Sequence, residues 1–526
     1  PAPRRVRPRR RSAAPGAPPE SRATLLRSGG PLSPLDLAVV VAYFIFTLGV
    51  GFWVSRRQET AGDYFLGARD LPAWAILLSI VATETSALTV ISVPAIAARG
   101  DLTFLQLSFG YLLGRALVAL WLLPGYFRGE QETAYARLES RFGPGTRRLT
   151  STVFLATRFL GDGVRVFASA IPLAVLAGWS IPTSVVVMSL VTMLYTWHGG
   201  LKAVVWVDVL QLAVYLAGGA MALAIAMELA GGLGPALAEA GAAGKLRLID
   251  PTISLGSTYT LLGGLVGGAM LSAASHGTDQ LIVQRLLASR SLGAARWALV
   301  GSGVMVIAQF ALFLLIGIAI WAAGEAPADL APDRIFPRFV IEHLPAGVAG
   351  LVVAAILAAA MSTQSSAINA LASSMTHDLY ASWTGRRDPK HLLRVGRACS
   401  LGWAIAITAG ALLFHYGAAG TDTPVVVLAL SIASVTYGGL LGTYLLAARW
   451  DRATGRDVVT AIGVTVAAML VVIFARRLAG YPALAWLEPV GRLAWPWYVP
   501  LGTALTVVVG VLSSLLPGGR PRPVPS

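Results

Sequence analysis

Polar side chains that could do chemistry are concentrated at a few points inside long apolar stretches of the sequence. Around residue 84 the chain reads SIVATETSALTVISVP, so Glu84 lies among Thr83, Thr85, Ser86 and Thr89. Such a polar, weakly helical patch is typical of an unwound part of a membrane helix, where freed backbone carbonyls can bind a cation. The alternative is a regular helix whose hydroxyl groups bond to their own backbone.

A second cluster is the hydroxyl-rich segment AAMSTQSS, which begins at Ala359. Ala359, Ser362 and Thr363 are spaced i, i+3 and i+4 and therefore share one face of a helix. Ser362, Ser365 and Ser366 repeat this spacing further along. A hard monovalent cation that has lost its water prefers hydroxyl and carbonyl oxygens, so the segment could supply two cation sites. Close helix packing by small residues is the alternative.

Asp208 is a third candidate, because GGLKAVVWVDVLQ places it well inside an apolar segment. A carboxylate there needs a partner, and its own helix face offers neither arginine nor lysine. A bound cation could neutralise it. Pairing with a residue of another helix is the alternative.

Two further segments combine charges with polar groups. Arg158 and Asp162 are spaced i, i+4 and are expected to neutralise each other, which leaves Arg165 to meet Glu84 or an anionic substrate. The segment SHGTDQ, residues 275–280, contains a glycine within a polar run and predicts a second broken helix.

The rest of the chain predicts a polytopic membrane protein. Of the 526 residues, 56% are apolar and only 13% are charged, about half the charged fraction of an ordinary soluble protein. Phosphate-loop, zinc-protease and nucleophile-elbow motifs are missing from the sequence, so an enzyme is not expected. Thirteen apolar runs are long enough to cross about 30 Å of hydrocarbon: 36–55, 72–98, 104–127, 149–177, 181–198, 202–230, 257–284, 295–323, 345–376, 391–415, 423–448, 457–475 and 497–516.

Arginine and lysine between these runs predict the orientation in the cell membrane. Loops that follow odd-numbered runs are the richer in cations, among them Arg285 and Arg290, so these loops are expected to be cytoplasmic, with the N-terminus outside and the C-terminus inside. Residues 1–33 are expected to be a disordered Arg/Pro-rich tail, and 517–526 a short cytoplasmic tail. About half of the net charge of +15 comes from the first thirty residues, so no nucleic-acid partner is expected.

Several motifs, taken in order, resemble the sodium/solute symporter family, which includes sodium/proline and sodium/sugar symporters. They are SRRQETAGDYFLGARDLP, SIVATETSA, GGLKAVVWVDVLQ, DQLIVQRLLASRS and LAAAMSTQSSAINALASSMTHDLY. The resemblance implies an all-α, LeuT-like fold with a transport core of ten helices in two inverted five-helix repeats, at residues 72–450. One extra transmembrane helix would precede the core, at 34–56, and two would follow it, at 457–516.

The resemblance also implies binding sites. A first sodium site would use the carbonyls of Ala82, Thr85 and Ala359 and the hydroxyls of Ser362 and Thr363. A second sodium site would use Asp208, Ser362, Ser365 and Ser366. Glu84 stands where relatives carry an aspartate or asparagine that links the ion and substrate sites. The candidate substrate-binding residues are Glu84, Ser86, Thr89, Arg165, Ser275, His276 and Asp279.

The implied function is sodium-coupled import of a small organic solute by alternating access, with Na+ as the coupling ion, no organic cofactor and no obligatory protein partner. Sugar carriers have a tyrosine, an asparagine and a lysine at positions that match Ser275, Ser272 and Val306 here, so recognition of a galactose-type sugar is not expected. A proton-coupled or uncoupled permease of the same fold is the alternative, with Glu84 or Asp208 as the proton carrier.

Overall fold

A computed structural model describes residues 33–55, 58–129, 131–417 and 425–516, and these are almost entirely helical. The tails predicted at 1–32 and 517–526 lie outside the described residues. In chain order the helices are α1 Pro34–Val54, α2 Ala61–Leu66, α3 Ala73–Glu84, α4 Ala87–Arg99, α5 Leu105–Leu117, α6 Leu123–Tyr126, α7 Ala136–Phe142, α8 Pro144–Ala177, α9 Ile181–Leu229, α10 Leu233–Ala242, α11 Gly268–Gly277, α12 Gln280–Leu287, α13 Leu292–Ala322, α14 Pro332–His343, α15 Val348–Ser374, α16 Ala381–Thr384, α17 Pro389–Gly417, α18 Val425–Arg449, α19 Gly455–Leu478, α20 Glu488–Gly491 and α21 Tyr498–Leu515.

Within the described ranges, eight helices are long and apolar enough to cross a membrane, or nine if α3 and α4 are counted as one bent span. The thirteen predicted apolar runs all fall on helices, but some of these are broken, charged or fused. Helix α8 carries Arg158, Asp162 and Arg165 in its middle, and α11 and α12 are separate short helices. Length and apolar composition therefore identify fewer crossings than the sequence predicts.

Helix α9 joins two of the predicted crossings. A straight helix of its 49 residues would be about 74 Å long, more than twice the hydrocarbon thickness of ~30 Å. Gly200 breaks it, with φ 55° and ψ −154°, a conformation that only glycine adopts readily. A Cβ there would also lie 2.3 Å from the carbonyl oxygen of Tyr64. The joint between the two halves of α9 therefore lies at residue 200, and no loop separates them.

Two other helices are interrupted where the sequence predicts it. Helices α3 and α4 are bent by 67° at Thr85 and Ser86, which are both extended. Helix α11 ends at Gly277, and α12 starts after Asp279, whose carboxylate caps it by accepting from the amide of Leu281 at 2.9 Å. Both predicted interruptions are confirmed.

Helix α15 lies at the centre of the molecule and is buried along almost its whole length. It packs on α1, α3, α8, α9 and α17. Its N-terminus is fixed by the buried Asp36 of α1, which accepts from the amides of Gly347 at 2.8 Å and Gly350 at 2.7 Å. A carboxylate at a helix N-terminus is favourable because it meets unpaired amides and the positive end of the helix dipole. The hydroxyl-rich face of α15 is thus held inside the protein rather than toward lipid.

Candidate functional site

A cavity of about 350 Å³ adjoins the break between α3 and α4. Its volume is within the roughly 300–1,000 Å³ that is typical of small-molecule sites. Polar groups come from the break, from α8, from α11 and from α18, namely Thr83, Glu84, Ser86, Thr89, Ser92, Arg158, Arg165, Ser272, Ser275, His276, Ser434 and Tyr437. The cavity therefore collects most of the polar residues that the sequence singles out.

The break faces the hydroxyl groups of α15. Thr363 Oγ1 lies 3.3 Å from the carbonyl oxygen of Thr83 and 3.2 Å from that of Ala359. Thr85 is extended, and both its amide and its hydroxyl bond back to the carbonyl of Val81, at 3.1 and 2.9 Å. Ser362, Thr363 and Thr85 are all buried. Oxygen atoms from α3 and α15 are thus side by side in the interior.

Asp208 has a partner that the sequence reading misplaced. Arg285 was assigned to a cytoplasmic loop, but it lies on α12, fully buried, with Nη2 3.1 Å from Asp208 Oδ2. The same carboxylate accepts from Ser79 at 2.6 Å and from Ser362 at 2.6 Å. A guanidinium therefore meets the charge of Asp208 here, and a cation bound at Asp208 stays a prediction. Pairing with another helix, the alternative, is what occurs.

The remaining hydroxyls of the predicted second sodium site are also engaged. Ser366 contacts the guanidinium of Arg285 and lies 3.0 Å from Thr83 Oγ1. Ser365 Oγ and Ser366 Oγ both donate to the carbonyl of Ser362, at 3.0 and 2.6 Å. Arg285 therefore contacts two of the four predicted ligands, Asp208 and Ser366.

Glu84 pairs with Arg115 of α5, a residue that sequence reasoning missed. The two side chains form a direct ion pair, and Arg115 also donates to Ser302 Oγ at 2.7 Å. On the other side of Glu84, His276 Nε2 lies 3.7 Å from its carboxylate, while Nδ1 lies 2.8 Å from Ser275 Oγ. An arginine inside the apolar run LQLSFGYLLGRAL was the available signal.

The expected ion pair on α8 forms, and Arg158 has a second partner that was not expected. Arg158 lies 3.5 Å from Asp162 and binds Asp279 of the second break more closely, at 2.6 Å. Arg165 lies 3.4 Å from Asp162, so the expected contact with Glu84 does not form. Arg165 lines the cavity with 24% of its side chain exposed. It remains available to a solute.

Six of the seven predicted substrate-binding residues line the cavity: Glu84, Ser86, Thr89, Arg165, Ser275 and His276. Asp279 lies behind the cavity wall, capping α12 and binding Arg158 and the hydroxyl of Tyr437, the latter at 3.0 Å. It positions other groups instead of facing the cavity. The sequence reading missed the aromatic part of the lining, Phe104, Tyr111, Tyr259, Phe310, Trp495 and Tyr498.

Comparison with known proteins places this architecture in a family. Residues 64–463 match the model of the sodium:solute symporter family. The human sodium/iodide cotransporter is 31% identical over 429 residues, which cover 78% of this chain and 65% of that longer protein. The sodium/sialic acid symporter SiaT of Proteus mirabilis is 30% identical over 358 residues, or 66% of this chain and 71% of the relative.

The fold has a counterpart among solved structures. A Na+-coupled sialic acid symporter in a substrate-bound, outward-open state superposes with a TM-score of 0.81. The match covers 94% of this chain and 100% of that one at 24% identity, so it shows that the two chains share a fold. The chain therefore belongs to the sodium:solute symporter family: it is an all-helical membrane transporter, not an enzyme, and it couples symport of a small solute to sodium.

Proposed function

We propose that the protein imports a small organic solute together with one Na+ by alternating access, with the ion held at the break between α3 and α4. The observation that supports this most directly is the 3.3 Å contact from Thr363 Oγ1 on α15 to the carbonyl of Thr83 beside the break. A dehydrated Na+ needs several oxygen atoms at short range, and two helices supply them here in a buried position.

The proposed ligands are five oxygen atoms, the carbonyls of Ala82, Thr85 and Ala359 and the hydroxyls of Ser362 and Thr363. The last four carbonyls of a helix lack partners within it, and α3 ends at Glu84. The carbonyl of Val81 accepts from Thr85 and that of Thr83 from Thr363, and the carbonyl of Ala82 between them is proposed to bind the ion.

Ion and solute would be coupled through the break itself. An ion bound between α3 and α15 fixes Thr85, and the residues on either side of it, Glu84 and Ser86, line the cavity. Sodium would therefore stabilise the arrangement that receives the solute. Because such coupling is reciprocal, the solute would raise the affinity for sodium by the same factor.

The predicted second sodium site is proposed to hold Arg285 in place of an ion. Its guanidinium lies 3.1 Å from Asp208 and contacts Ser366. A second cation there would stand beside a buried positive charge of the same sign. We therefore infer one sodium ion per cycle, where the family resemblance alone implied two.

The solute is proposed to carry a negative group that Arg165 receives. Arg165 has one long contact, 3.4 Å to Asp162, and faces the cavity. Contacts from Glu84, Ser86, Thr89, Ser275 and His276 would complete the site. With one Na+ and one monovalent anion, the transported charge is zero.

A proton-coupled permease of the same fold is less well supported. Its proton carrier would be Glu84 or Asp208, and both carboxylates contact arginines, Arg115 and Arg285. Membership of a sodium-coupled family also favours the ion.

The finer architecture is proposed from the same resemblance. If α3–α4 and α11–α12 are counted as one crossing each, α9 as two, and α8 and α18 are added, the helices give the thirteen spans predicted from the sequence. The ten helices of residues 72–450 would form two inverted repeats, with 34–56 before them and 457–516 after them. The N-terminus would lie outside and the C-terminus in the cytoplasm.

The test of the ion site uses sodium itself, because the solute is not identified. Purified protein in detergent is titrated with ²²Na+, with choline as the balancing cation. Ser362→Ala and Thr363→Val each remove one of five proposed ligands, and we expect each to weaken sodium binding about tenfold, equivalent to about 1.4 kcal/mol. Thr192→Val is the matched control, because this buried hydroxyl bonds only to its own helix at Met188, 2.8 Å away.

Unchanged sodium affinity in both Ser362→Ala and Thr363→Val would contradict the proposed site. An equal loss in the Thr192→Val control would show a general effect of helix damage rather than loss of a ligand. Uptake into cells in sodium and in choline medium then extends the test to transport.

A further inference from the structure

One part of the cavity wall is built from aromatic rings that have no role in the proposed sodium site or in the polar contacts described above. Phe104 packs edge-on against Tyr259 and against Phe310, with ring centroids 5.3 Å apart in both pairs. Tyr111 continues the series, 6.4 Å from Phe310. All four rings line the cavity, so they form one continuous aromatic wall.

Trp495 and Tyr498 also line the cavity, although they belong to the last helices of the chain. Trp495 lies in a short 3₁₀ turn, Trp495–Trp497, and Tyr498 starts α21. These helices were expected to be additions outside the transport core. The cavity therefore has a wall that the core does not provide.

This wall is fixed in place by backbone contacts. The amide of Ala494 donates to the carbonyl of Leu255 at 2.8 Å. Pro496 lies against Gly267, where a Cβ would approach its carbonyl oxygen to 2.5 Å. Further along α21, a Cβ on Gly502 would lie 3.2 Å from the Cα of Gly438. The glycines thus let α21 pack closely on its neighbours, and these contacts fix the position of Trp495 in the cavity wall.

Phe104, Tyr259 and Trp495 lie at one level of the cavity. Phe104 immediately precedes α5, and the side chain of Gln106 donates to the carbonyl of Tyr259 at 3.2 Å, which places both at the same level. The bond from Ala494 to Leu255 brings Trp495 to this level as well. Tyr111 continues the wall along α5 to within one turn of Arg115, the partner of Glu84. The aromatic wall therefore runs up to the polar groups at the break.

We propose that Phe104, Tyr111, Tyr259, Phe310, Trp495 and Tyr498 form a subsite for the apolar or aromatic part of the solute, which makes the solute an amphipathic organic acid. The inference rests on the proposed function, because the polar head is placed at Arg165 and the break. Aromatic walls favour flat or branched apolar groups through burial and edge-to-face contacts. A fully hydrated inorganic anion or a small polyol would leave these rings uncovered.

The experiment compares carboxylates that differ only in their apolar part. Acetate, butyrate, phenylacetate and 3-phenylpropionate are titrated into the purified full chain in saturating NaCl, and binding is followed by isothermal calorimetry. We expect affinity to rise along the series, with phenylacetate at least tenfold tighter than acetate. Trp495→Ala and Tyr498→Leu are expected to weaken phenylacetate at least tenfold and to leave ²²Na+ binding unchanged.

Trp497→Phe is the matched control, since Trp497 lies in the same turn but does not line the cavity. Trp495→Leu is the second variant in case Trp495→Ala does not fold. The subsite is overturned if phenylacetate binds no tighter than acetate, if none of the four acids binds, or if the Trp495 variants and Trp497→Phe behave alike. If the unmodified chain does not bind ²²Na+, the proposed function is contradicted instead. Failure of the subsite and failure of the proposed function are therefore distinguishable.

Discussion

At the scale of single residues, the pairing of Arg285 with Asp208 carries the proposal of one sodium ion per cycle. Both side chains are buried, and the pair is supported by Ser79, which contacts both of them. Removing one partner of a buried ion pair costs about 3–5 kcal/mol, because the other charge is left uncompensated. Replacing both partners by neutral groups costs far less.

This gives a prediction about ion stoichiometry. We expect the unmodified protein to bind one ²²Na+ per chain, Arg285→Met to bind a second ion at the freed Asp208 carboxylate, and the double variant Arg285→Met/Asp208→Asn to return to one. Equilibrium dialysis with ²²Na+ measures the count. Asp208→Asn alone should lower the melting temperature, and the double variant should recover most of it. Two ions per unmodified chain would refute the inference.

At the scale of elements, a second polar cluster joins the end of α15 to the chain before α7 and to the start of α8. Asp378, in the π-helical turn Met375–Tyr380, accepts from Thr133 at 2.5 Å, from Ser374 at 2.6 Å and from Arg147 Nε at 2.7 Å. It lies sixteen residues beyond Ser362, which is about 24 Å along a helix. The Asp378 cluster therefore joins the end of α15 to α8 and to the chain before α7, at a distance from the proposed sodium site.

We expect Asp378→Asn to weaken the contacts that this cluster makes between α15, α8 and the chain before α7. A hydrogen bond to a charged group contributes about 1.5–3 kcal/mol, so amide hydrogen exchange of residues 131–136 should quicken about tenfold or more. Exchange in residues 243–262, near the aromatic wall of the cavity, should stay the same. Thr384→Val serves as the control, because its exposed hydroxyl bonds only to nearby backbone, donating to the carbonyl of Tyr380 at 2.8 Å and accepting from the amide of Arg386 at 3.4 Å. Equal exchange in all three proteins would mean that the cluster does not hold the elements together.

The elements also show what a sequence can and cannot predict here. Both helix breaks were predictable, because hydroxyl groups and charge occur together in a local run of residues, with a glycine in the second run. The hydroxyl face of α15 was predictable from i, i+3 and i+4 spacing. The partners of Glu84 and Asp208 were not, because Arg115 and Arg285 are 31 and 77 residues away and reach them only when the helices pack. The aromatic wall was missed for the same reason, since its rings come from distant parts of the chain.

At the scale of the whole molecule, the predicted orientation can be tested directly. Arg285 no longer counts as a loop cation, but the segment before α17 and the first turn of α17 still carry Arg386, Arg387 and Lys390. The positive-inside rule predicts that this segment is cytoplasmic. Helix α10 is then expected outside, because three crossings, α11–α12, α13 and α15, separate it from that segment.

Single cysteines in a Cys399→Ser background give the measurement. We expect Glu239→Cys on α10 to react with a membrane-impermeant maleimide in intact cells, and Arg387→Cys to react only after the cells are permeabilised. Both positions are exposed. The reverse pattern would invert the orientation, and with it the direction of transport for a given sodium gradient.

The joint at Gly200 has a consequence for how movement spreads through the transporter. Asp208 lies eight residues after this joint. Just before the joint, the hydroxyl of Tyr64 donates to the carbonyl of Trp197 at 3.1 Å. Since no slack chain separates the two halves of α9, any displacement of the helix that carries Asp208 must pull on the segment before it. A rearrangement near the proposed ion site would thus be transmitted to α2 through the break at Gly200.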